Sequence, residues 1–341
     1  MEKQWTTYWS RSQRGLGMSE KKCQKHQRFV LKTIPSSSQI KLKFAAYYDI
    51  DDILIKNVYI IDGKIKRKAT FLYQETYLLN PGRDIYTDEI DITSQNIIIE
   101  YDIETRSPYT CQSGMSMYDY DCFIEGGYPI IYALCGIDLY THELNGCICV
   151  FGDSIVEQGH YTRILKEKYA SLGYSVINLG VSSNRLLRQI EYLNGNTNIP
   201  MHMQWFGIAA IERYATEVLS CQNIKRIIIA IGINDLYQPG SYCAAVHELP
   251  TLQEMYKGYQ SLYHMTSCIP ITFLSLTPFH ARNELRVEVN QWLLQHFQHT
   301  IDFDDIFMNH GQLVSDVYQP DYLHPNELGG HMMAQKILKN T

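Results

Sequence analysis

From residue 146 onward, strand-length apolar runs alternate with helix-length segments, and no other feature of the chain restricts its fold as much. The runs lie at 147–151, 175–179 (SVINL), 225–233 (KRIIIAIGI), 271–276 (ITFLSL) and 300–303 (TIDF). The helical segments lie at about 160–172, 205–221, 253–267, 283–298 and 326–339. A helix after each strand carries the chain back before the next strand begins, so the strands run parallel and both faces of the sheet are covered. Ligands of such sheets bind outside the carboxyl ends of the strands, which makes the residues just after each strand the candidates for chemistry.

The first part of the chain has a different rhythm. Residues 27–140 carry short runs rich in β-branched and aromatic residues (QRFVLKTI, IKLKFAAYY, ILIKNVYIID, KATFLY, QNIIIEYDI), broken by turn signals at 35–38, 61–64 and 80–84. Such spacing without a helical period predicts an all-β sandwich, jelly-roll-like in form. With 341 residues there is chain enough for two cores. The division predicted is a sandwich over 1–145 and an α/β domain over 146–341.

Four segments sit at the ends of the predicted parallel strands. Gly152-Asp153-Ser154 follows the first, Asn178-Leu179-Gly180 closes the second, Gly232-Ile233-Asn234-Asp235 follows the third, and Asp321-Tyr322-Leu323-His324-Pro325 follows the last. Acyl transfer needs a nucleophile, a base, a group that orients the base, and donors for the oxyanion. Ser154 suits the first role and His324 the second, with Asp321 within reach of the second ring nitrogen. The backbone N–H groups of Ser154 and Gly180 and the side-chain amide of Asn234 suit the oxyanion. Gly180 is read as bare so that its backbone can approach the substrate. Pro325 suits the first turn of a helix that would hold His324 at its start. A serine after Asp at a helix start is also an ordinary cap, and an Asp three residues before a His arises by chance in a chain of this composition. Position at four separate strand ends is what gives the pieces weight.

These segments resemble the blocks of the SGNH subgroup of GDSL-type esterases and lipases, with Ser154, Gly180, Asn234 and His324 at the four name-giving positions and Asp321 as the triad acid. WTTYWSRSQ, YALCGIDLYTHELNGCICVFGDS, NRLL, VNQWLLQHFQHTIDFDDIF and DYLHPNELGG extend the likeness to a bacterial two-domain version with a β-sandwich before the hydrolase. The resemblance implies a flavodoxin-like three-layer domain, ester hydrolysis through an acyl-Ser154 intermediate, and no metal or organic cofactor. It also suggests a short acyl ester on a sugar as substrate. Asn184 and Arg185, just past Gly180, and Tyr237, after Asn234, are the rim contacts expected from their positions. A lipase or thioesterase for longer chains, and a catalytically silent carbohydrate-binding protein, stay open beside it. Val156 stands where the family usually has Thr, Gly159 comes one place late, and Ser183 stands where the two-domain version often has Gly.

Competing constellations are weaker. His160 is near Ser154 in sequence, but the next turn of the same helix would turn it away. His296 with His299, and Glu157 with His160, have the spacing of half a metal site without further ligands. No Gly-x-Ser-x-Gly elbow and no phosphate loop follows a strand. The aromatic-rich segment from Tyr109 to Tyr140 suits interdomain packing, or a sugar site as a lesser reading.

Composition narrows the partners. A net charge of −6 disfavours nucleic acid. No stretch of about 18 apolar residues offers a membrane span, and the beginning MEKQWTTYWSRSQ lacks the apolar core of a secretory signal, so a cytoplasmic location is expected. Nine cysteines without framework spacing suit reduced, mostly packing thiols. Lys3, Arg11, Arg14, Lys21, Lys22, Lys25, Arg28 and Lys32 crowd the first 33 residues and are read as a solvated arm. The expected partner is a small-molecule ester; the oligomeric state stays open.

Overall fold

A computed structural model describes residues 2–15, 23–105, 111–114, 122–124, 130–266, 268–280 and 282–341. The strands that carry the N-terminal half are β1 (Gln4–Ser10), β2 (Gln13–Gly15), β3 (Cys23–Leu31), β4 (Gln39–Ala45), β5 (Ile53–Asp62), β6 (Ile97–Thr105) and β7 (Leu134–Thr141). β1, β7 and β4 form one antiparallel sheet in that order, and β3, β6 and β5 another. β2 pairs with Cys111–Gly114, which pairs in turn with Ile130–Tyr132. The expected sandwich is present as antiparallel sheets.

Alternation drives it. In β6, Ile97, Ile99, Tyr101 and Ile103 point inward while the residues between them face water. β5 keeps two inward pairs, Ile53 with Ile55 and Val58 with Ile60, although their spacing breaks the period of two. A bulge repairs the phase: Asn57 takes a φ of 52° where the pairing with β6 shifts register. The two sheets meet where Phe44 of β4 packs edge-on against Tyr101 of β6, with centroids 5.2 Å apart.

The C-terminal half holds parallel strands β8 (Gly146–Gly152), β9 (Tyr174–Gly180), β10 (Ile224–Ala230), β11 (Ile271–Leu274) and β12 (Thr300–Ile301). Their spatial order is β9-β8-β10-β11-β12, or 2-1-3-4-5 counted along the chain, the flavodoxin-like doubly wound arrangement. Helices α1 (Ser154–Glu157), α2 (Thr162–Ala170), α3 (Ala210–Glu217), α4 (Ile233–Tyr237), α5 (Leu252–His264), α6 (Asn283–His296) and α7 (Glu327–Asn340) connect and cover the sheet. α2 packs with α7, while α5 packs with both α3 and α6. The third strand ends earlier than its apolar run, because Gly232 at φ 118° turns the chain into α4.

β8 is buried along its whole length, as a central strand covered on both faces must be. Both Cys147 and Cys149 are therefore in the core, with free thiols, as are the buried Cys135, Cys221 and Cys243. Among the described residues no helix is long and apolar enough to cross a membrane.

In its described residues the basic N-terminal stretch is not a solvated arm. β1 pairs with β7 and also bonds to the α/β half: Thr7 N–H donates to the Gln222 carbonyl at 3.2 Å, and Ser175 Oγ donates to the Thr7 carbonyl at 2.6 Å. Arg11 is buried over the Trp9 ring and donates to the Asn178 carbonyl at 3.3 Å. Arg14 pairs with Glu157, and Arg28 with Glu100 at 3.2 Å. Arg11 and Arg14 have partners because the first two strands are the seam between the two halves, whereas Arg28 meets Glu100 across neighbouring strands of one sheet; Lys21 and Lys22 lie outside the described residues. So do Tyr109, Tyr118, Tyr120 and Tyr128 of the aromatic-rich segment. Tyr132 of that segment packs in the sandwich core, and Tyr140 lies against Trp5 with centroids 5.3 Å apart.

Candidate active site

Sheet register brings the site together. Gly152 pairs with Gly180 on one side and Ala230 on the other, so three strands end level. The segments that follow, 153–157, 181–184 and 231–237, therefore emerge beside one another at the point where strand order reverses.

Ser154 opens α1, whose N-cap is Asp153: the Asp153 Oδ1 accepts the Ile155 N–H at 3.0 Å. The cap and the serine are thus two parts of one turn. Burial pushes the Asp153 carboxyl up to about 7, against the pull of the Ile155 N–H and of Arg213. α1 stops after one turn and Gly159 takes a φ of 83°, so His160 is not on a second turn of the serine's helix. His160 lies against Gly330 and near Gln319, and burial lowers its pKa.

His324 comes from the other end of the chain. Its Nε2 is 2.8 Å from Ser154 Oγ, and its Nδ1 is 2.6 Å from Asp321 Oδ2. Asp321 Oδ1 also accepts the N–H groups of Leu323 and His324, both at 3.0 Å. Burial pushes the Asp321 carboxyl up, but the His324 ring and those two N–H groups outweigh it and hold the pKa below the ordinary carboxylate value. Pro325 does not start the following helix. It forms an isolated bridge with Tyr318, and Asn326 is the cap, accepting the Gly329 N–H at 3.0 Å. The His324 carbonyl accepts the Gln319 N–H at 2.8 Å, which fastens the loop.

The oxyanion reading needs one correction. The Gly180 N–H already donates to Asn178 Oδ1 at 3.0 Å. A Cβ on Gly180 would meet the Glu157 backbone nitrogen at 2.3 Å, so this glycine is bare to admit α1 and not the substrate. Three residues on, Ser183 sits at φ 62°, in the left-handed region that favours glycine. Among the described hydrogen bonds none uses the Ser183 N–H, and none uses that of Ser154. Asn234 Nδ2 donates one proton to the Asn184 carbonyl at 3.0 Å and has a second to give. The departure from Gly at position 183 was the sequence signal for this residue.

Asn184 and Arg185 are corrections as well. Asn184 is 0% exposed; its amide bonds the carbonyls of Phe206 and Ile208, and its oxygen accepts from Arg213 Nε at 2.9 Å. Arg185 is buried against Glu248 at 2.8 Å. Neither lies on a rim. Tyr237 is 46% exposed with its ring edge-on to Phe279, and Tyr322 is exposed beside His280, with centroids 4.8 Å apart. Asp235 accepts the N–H groups of Leu186 and Leu187 at 2.6 and 3.0 Å, which anchors the segment after Ser183 to α4. Of the half-sites with metal-ligand spacing, Glu157 is engaged by Arg14 and the Ser182 N–H, and His296 Nδ1 lies 2.9 Å from the Trp292 carbonyl.

Residues 150–331, more than half of the chain and including every residue of this constellation, match the model of the GDSL-like lipase/acylhydrolase family. The chain belongs to that family. It is a serine-type ester hydrolase with a second, β-rich domain in front. The lipase/acylhydrolase from Enterococcus faecalis is similar in structure (17% identity over 57% of this chain and 93% of that one, TM-score 0.42). So is a member of the lipolytic protein G-D-S-L family from Veillonella parvula DSM 2008 (20% identity over 57% and 96%, TM-score 0.38). A carbohydrate esterase family 2 enzyme plus carbohydrate binding domain from Corynascus thermopiles (Myceliophthora fergusii) aligns over 98% of both chains at 13% identity and TM-score 0.40. Among curated proteins none matches the chain.

Proposed function

We propose that this hydrolase removes short acyl groups, acetyl above all, from carbohydrate alcohols through an acyl-Ser154 intermediate. The observation that carries the hydrolytic part of the reading is the unbroken line from Asp321 Oδ2 through the His324 ring to Ser154 Oγ, at 2.6 and 2.8 Å. His324 Nε2 takes the serine proton as Oγ attacks the ester carbonyl, while Asp321 holds the Nδ1 proton and stabilises the imidazolium. The oxyanion receives the N–H groups of Ser154 and Ser183 and the second amide proton of Asn234. His324 then gives its proton to the departing alcohol, and a water repeats the sequence to free the acid.

One feature supports a sugar alcohol, and a second bears on the length of the acyl chain. Tyr237 and Tyr322 present exposed rings on the segments that also carry Asn234 and His324, and aromatic faces suit the apolar faces of sugars. A cavity of 710 Å³ is lined by residues such as Leu144, Gly173, Tyr174 and Ser175, at the amino ends of β8 and β9. It lies at the end of the sheet opposite Ser154, so it is not placed to take a long acyl chain bound there.

The test is hydrolysis of p-nitrophenyl esters of increasing acyl length, followed by acetylated sugars, each beside Ser154→Ala. The expected result is a rate that falls from acetate to longer chains and vanishes in the variant. Rates that rise with chain length would favour a lipase or thioesterase. Glycan binding without turnover of any ester would favour a silent binding protein, and a fully active Ser154→Ala would remove the nucleophile assignment.

A further inference from the structure

The N-terminal domain reaches the floor of the catalytic site through the Arg14 side chain. β2, which carries Arg14, pairs Arg14 with Gln112 and thus belongs to the β-rich half. It is held firmly: Gln13 Nε2 donates to the carbonyls of Ala45 and Ala133 at 3.2 and 3.1 Å, and the Gly15 N–H donates to the Gln204 carbonyl at 3.1 Å. From this strand the Arg14 guanidinium pairs with Glu157 Oε1. The other carboxylate oxygen, Glu157 Oε2, accepts the Ser182 N–H at 2.5 Å. Glu157 is the last residue of the one-turn helix that starts at Ser154, and Ser182 is bonded to Ser183.

We propose that Arg14 is a positioning residue for ester hydrolysis: by fixing the Glu157 carboxylate, it holds the segment 181–184 against α1 and aims the Ser183 N–H at the oxyanion. The inference rests on the Ser154 mechanism proposed above. The pair is mostly covered, with side-chain exposures of 14% and 18%, so solvent screens it less than a surface ion pair. Without the guanidinium, the Glu157 carboxylate loses its counter-charge and gains by turning toward water, and the turn would release the Ser182 N–H. Ser183, at φ 62°, is held at its carbonyl by Gln238 Nε2 at 2.7 Å. On the other side the Glu157 contact fixes the Val181–Ser182 peptide, one unit before the peptide that carries the Ser183 N–H, and a side chain in the left-handed region keeps that conformation only where its surroundings impose it. The sandwich domain is on this account part of the catalytic device.

The experiment measures kcat and KM of the full chain on p-nitrophenyl acetate for the wild type, Arg14→Ala, Arg14→Lys, Glu157→Gln and Arg14→Ala/Glu157→Gln. Each is also titrated with a phenylboronic acid, whose tetrahedral anion occupies the oxyanion position. Arg14→Ala is expected to lower kcat by about ten- to a hundredfold, the scale of a small misplacement of the reacting groups. KM should stay within about twofold, and boronate affinity should weaken in step with kcat. Arg14→Lys recovers part of both, and the double variant is no worse than Arg14→Ala, because both changes break one link. Wild-type kcat and boronate affinity in a folded Arg14→Ala would overturn the proposal. Should Arg14→Ala fail to fold, Arg14→Lys and Glu157→Gln carry the test, and wild-type values in both overturn it equally. Ser154→Ala run alongside separates the two ideas: an active Ser154→Ala sinks the mechanism itself, whereas a dead Ser154→Ala with a normal Arg14→Ala sinks only the positioning role.

Discussion

His324 Nε2 stands 2.8 Å from Ser154 Oγ although 170 residues separate the two in the chain. Nothing local holds them together; the contact exists because the last strand of the parallel sheet and the first end on the same side, and because the 319–326 loop is fastened at both ends.

Asp321 is the local part of that relationship, and Asp321→Asn tests it. The amide cannot hold the Nδ1 proton and stabilise an imidazolium as the carboxylate does, so kcat is expected to fall by roughly 10³- to 10⁴-fold, with the thermal midpoint little changed. Steady-state kinetics on p-nitrophenyl acetate decides; a loss of less than tenfold would mean that His324 does not depend on Asp321.

Gly180→Ala separates packing from oxyanion binding at that position. The added methyl would sit 2.3, 2.7 and 2.9 Å from the Glu157 nitrogen, the Glu157 Cα and the Asp153 carbonyl oxygen, all of them backbone that cannot swing aside. A destabilisation of about 1–3 kcal/mol or more is expected in denaturant unfolding, together with a lower kcat because α1 carries Ser154. A variant of wild-type stability would show that α1 yields freely.

Arg213 ties the strand ends together from beneath. It is 1% exposed and donates to the carbonyls of Gly152 and Leu179, to Asn184 Oδ1 and to Ser12 Oγ, at 2.7–3.1 Å, and it pairs with Glu217 at 2.5 Å. Arg213→Met leaves the buried Glu217 carboxylate with the Ser12 hydroxyl but without its cation, and takes the guanidinium bonds from the Gly152 and Leu179 carbonyls, at an expected cost of about 3–5 kcal/mol. Arg213→Lys is expected to recover little, since an ammonium cannot reproduce the planar fork. Urea unfolding of the three proteins measures both effects, and full recovery by lysine would show that charge alone matters.

The pH dependence of stability follows from Asp153. With its folded pKa raised by burial to about 7 and an ordinary unfolded value near 3.9, the native state binds the extra proton between roughly pH 4 and 7. Stability from this group is therefore lost as pH rises through that window and levels off above it. Asp153→Asn keeps an acceptor for the Ile155 N–H and carries no charge, so its stability relative to wild type is expected to grow between pH 5 and pH 8, by an amount on the order of a few kcal/mol. Thermal midpoints at the two pH values give the answer, and parallel curves for the two proteins would exclude an ionising Asp153.

Much of this is legible in the amino-acid sequence. The alternation after residue 146 predicted the parallel sheet, because covered strands must be apolar throughout and their connections must be long. Ser154, Asn234, Asp321 and His324 were legible as segments placed just after strands. Asn184 and Arg185 misled because a polar residue in a loop has no period to reveal which way it faces; here α3 and Glu248 consume them. Arg14, Glu157 and Arg213 belong to no motif: Arg14 and Glu157 lie 143 residues apart, and although Glu217 is one turn from Arg213, the other partners of Arg213 come from distant parts of the chain.

The amino-acid sequence by itself determined the element types, the two rhythms and the chemistry available, because hydrophobic period, turn residues and side-chain functional groups are local properties. Only the tertiary structure decided which N–H groups are spent and which are free, which arginines are buried, and that β2 of the sandwich touches the floor of the hydrolase site. Those depend on register between strands and on the competition of each polar group for a partner, and a window of sequence does not show which of the competing partners wins.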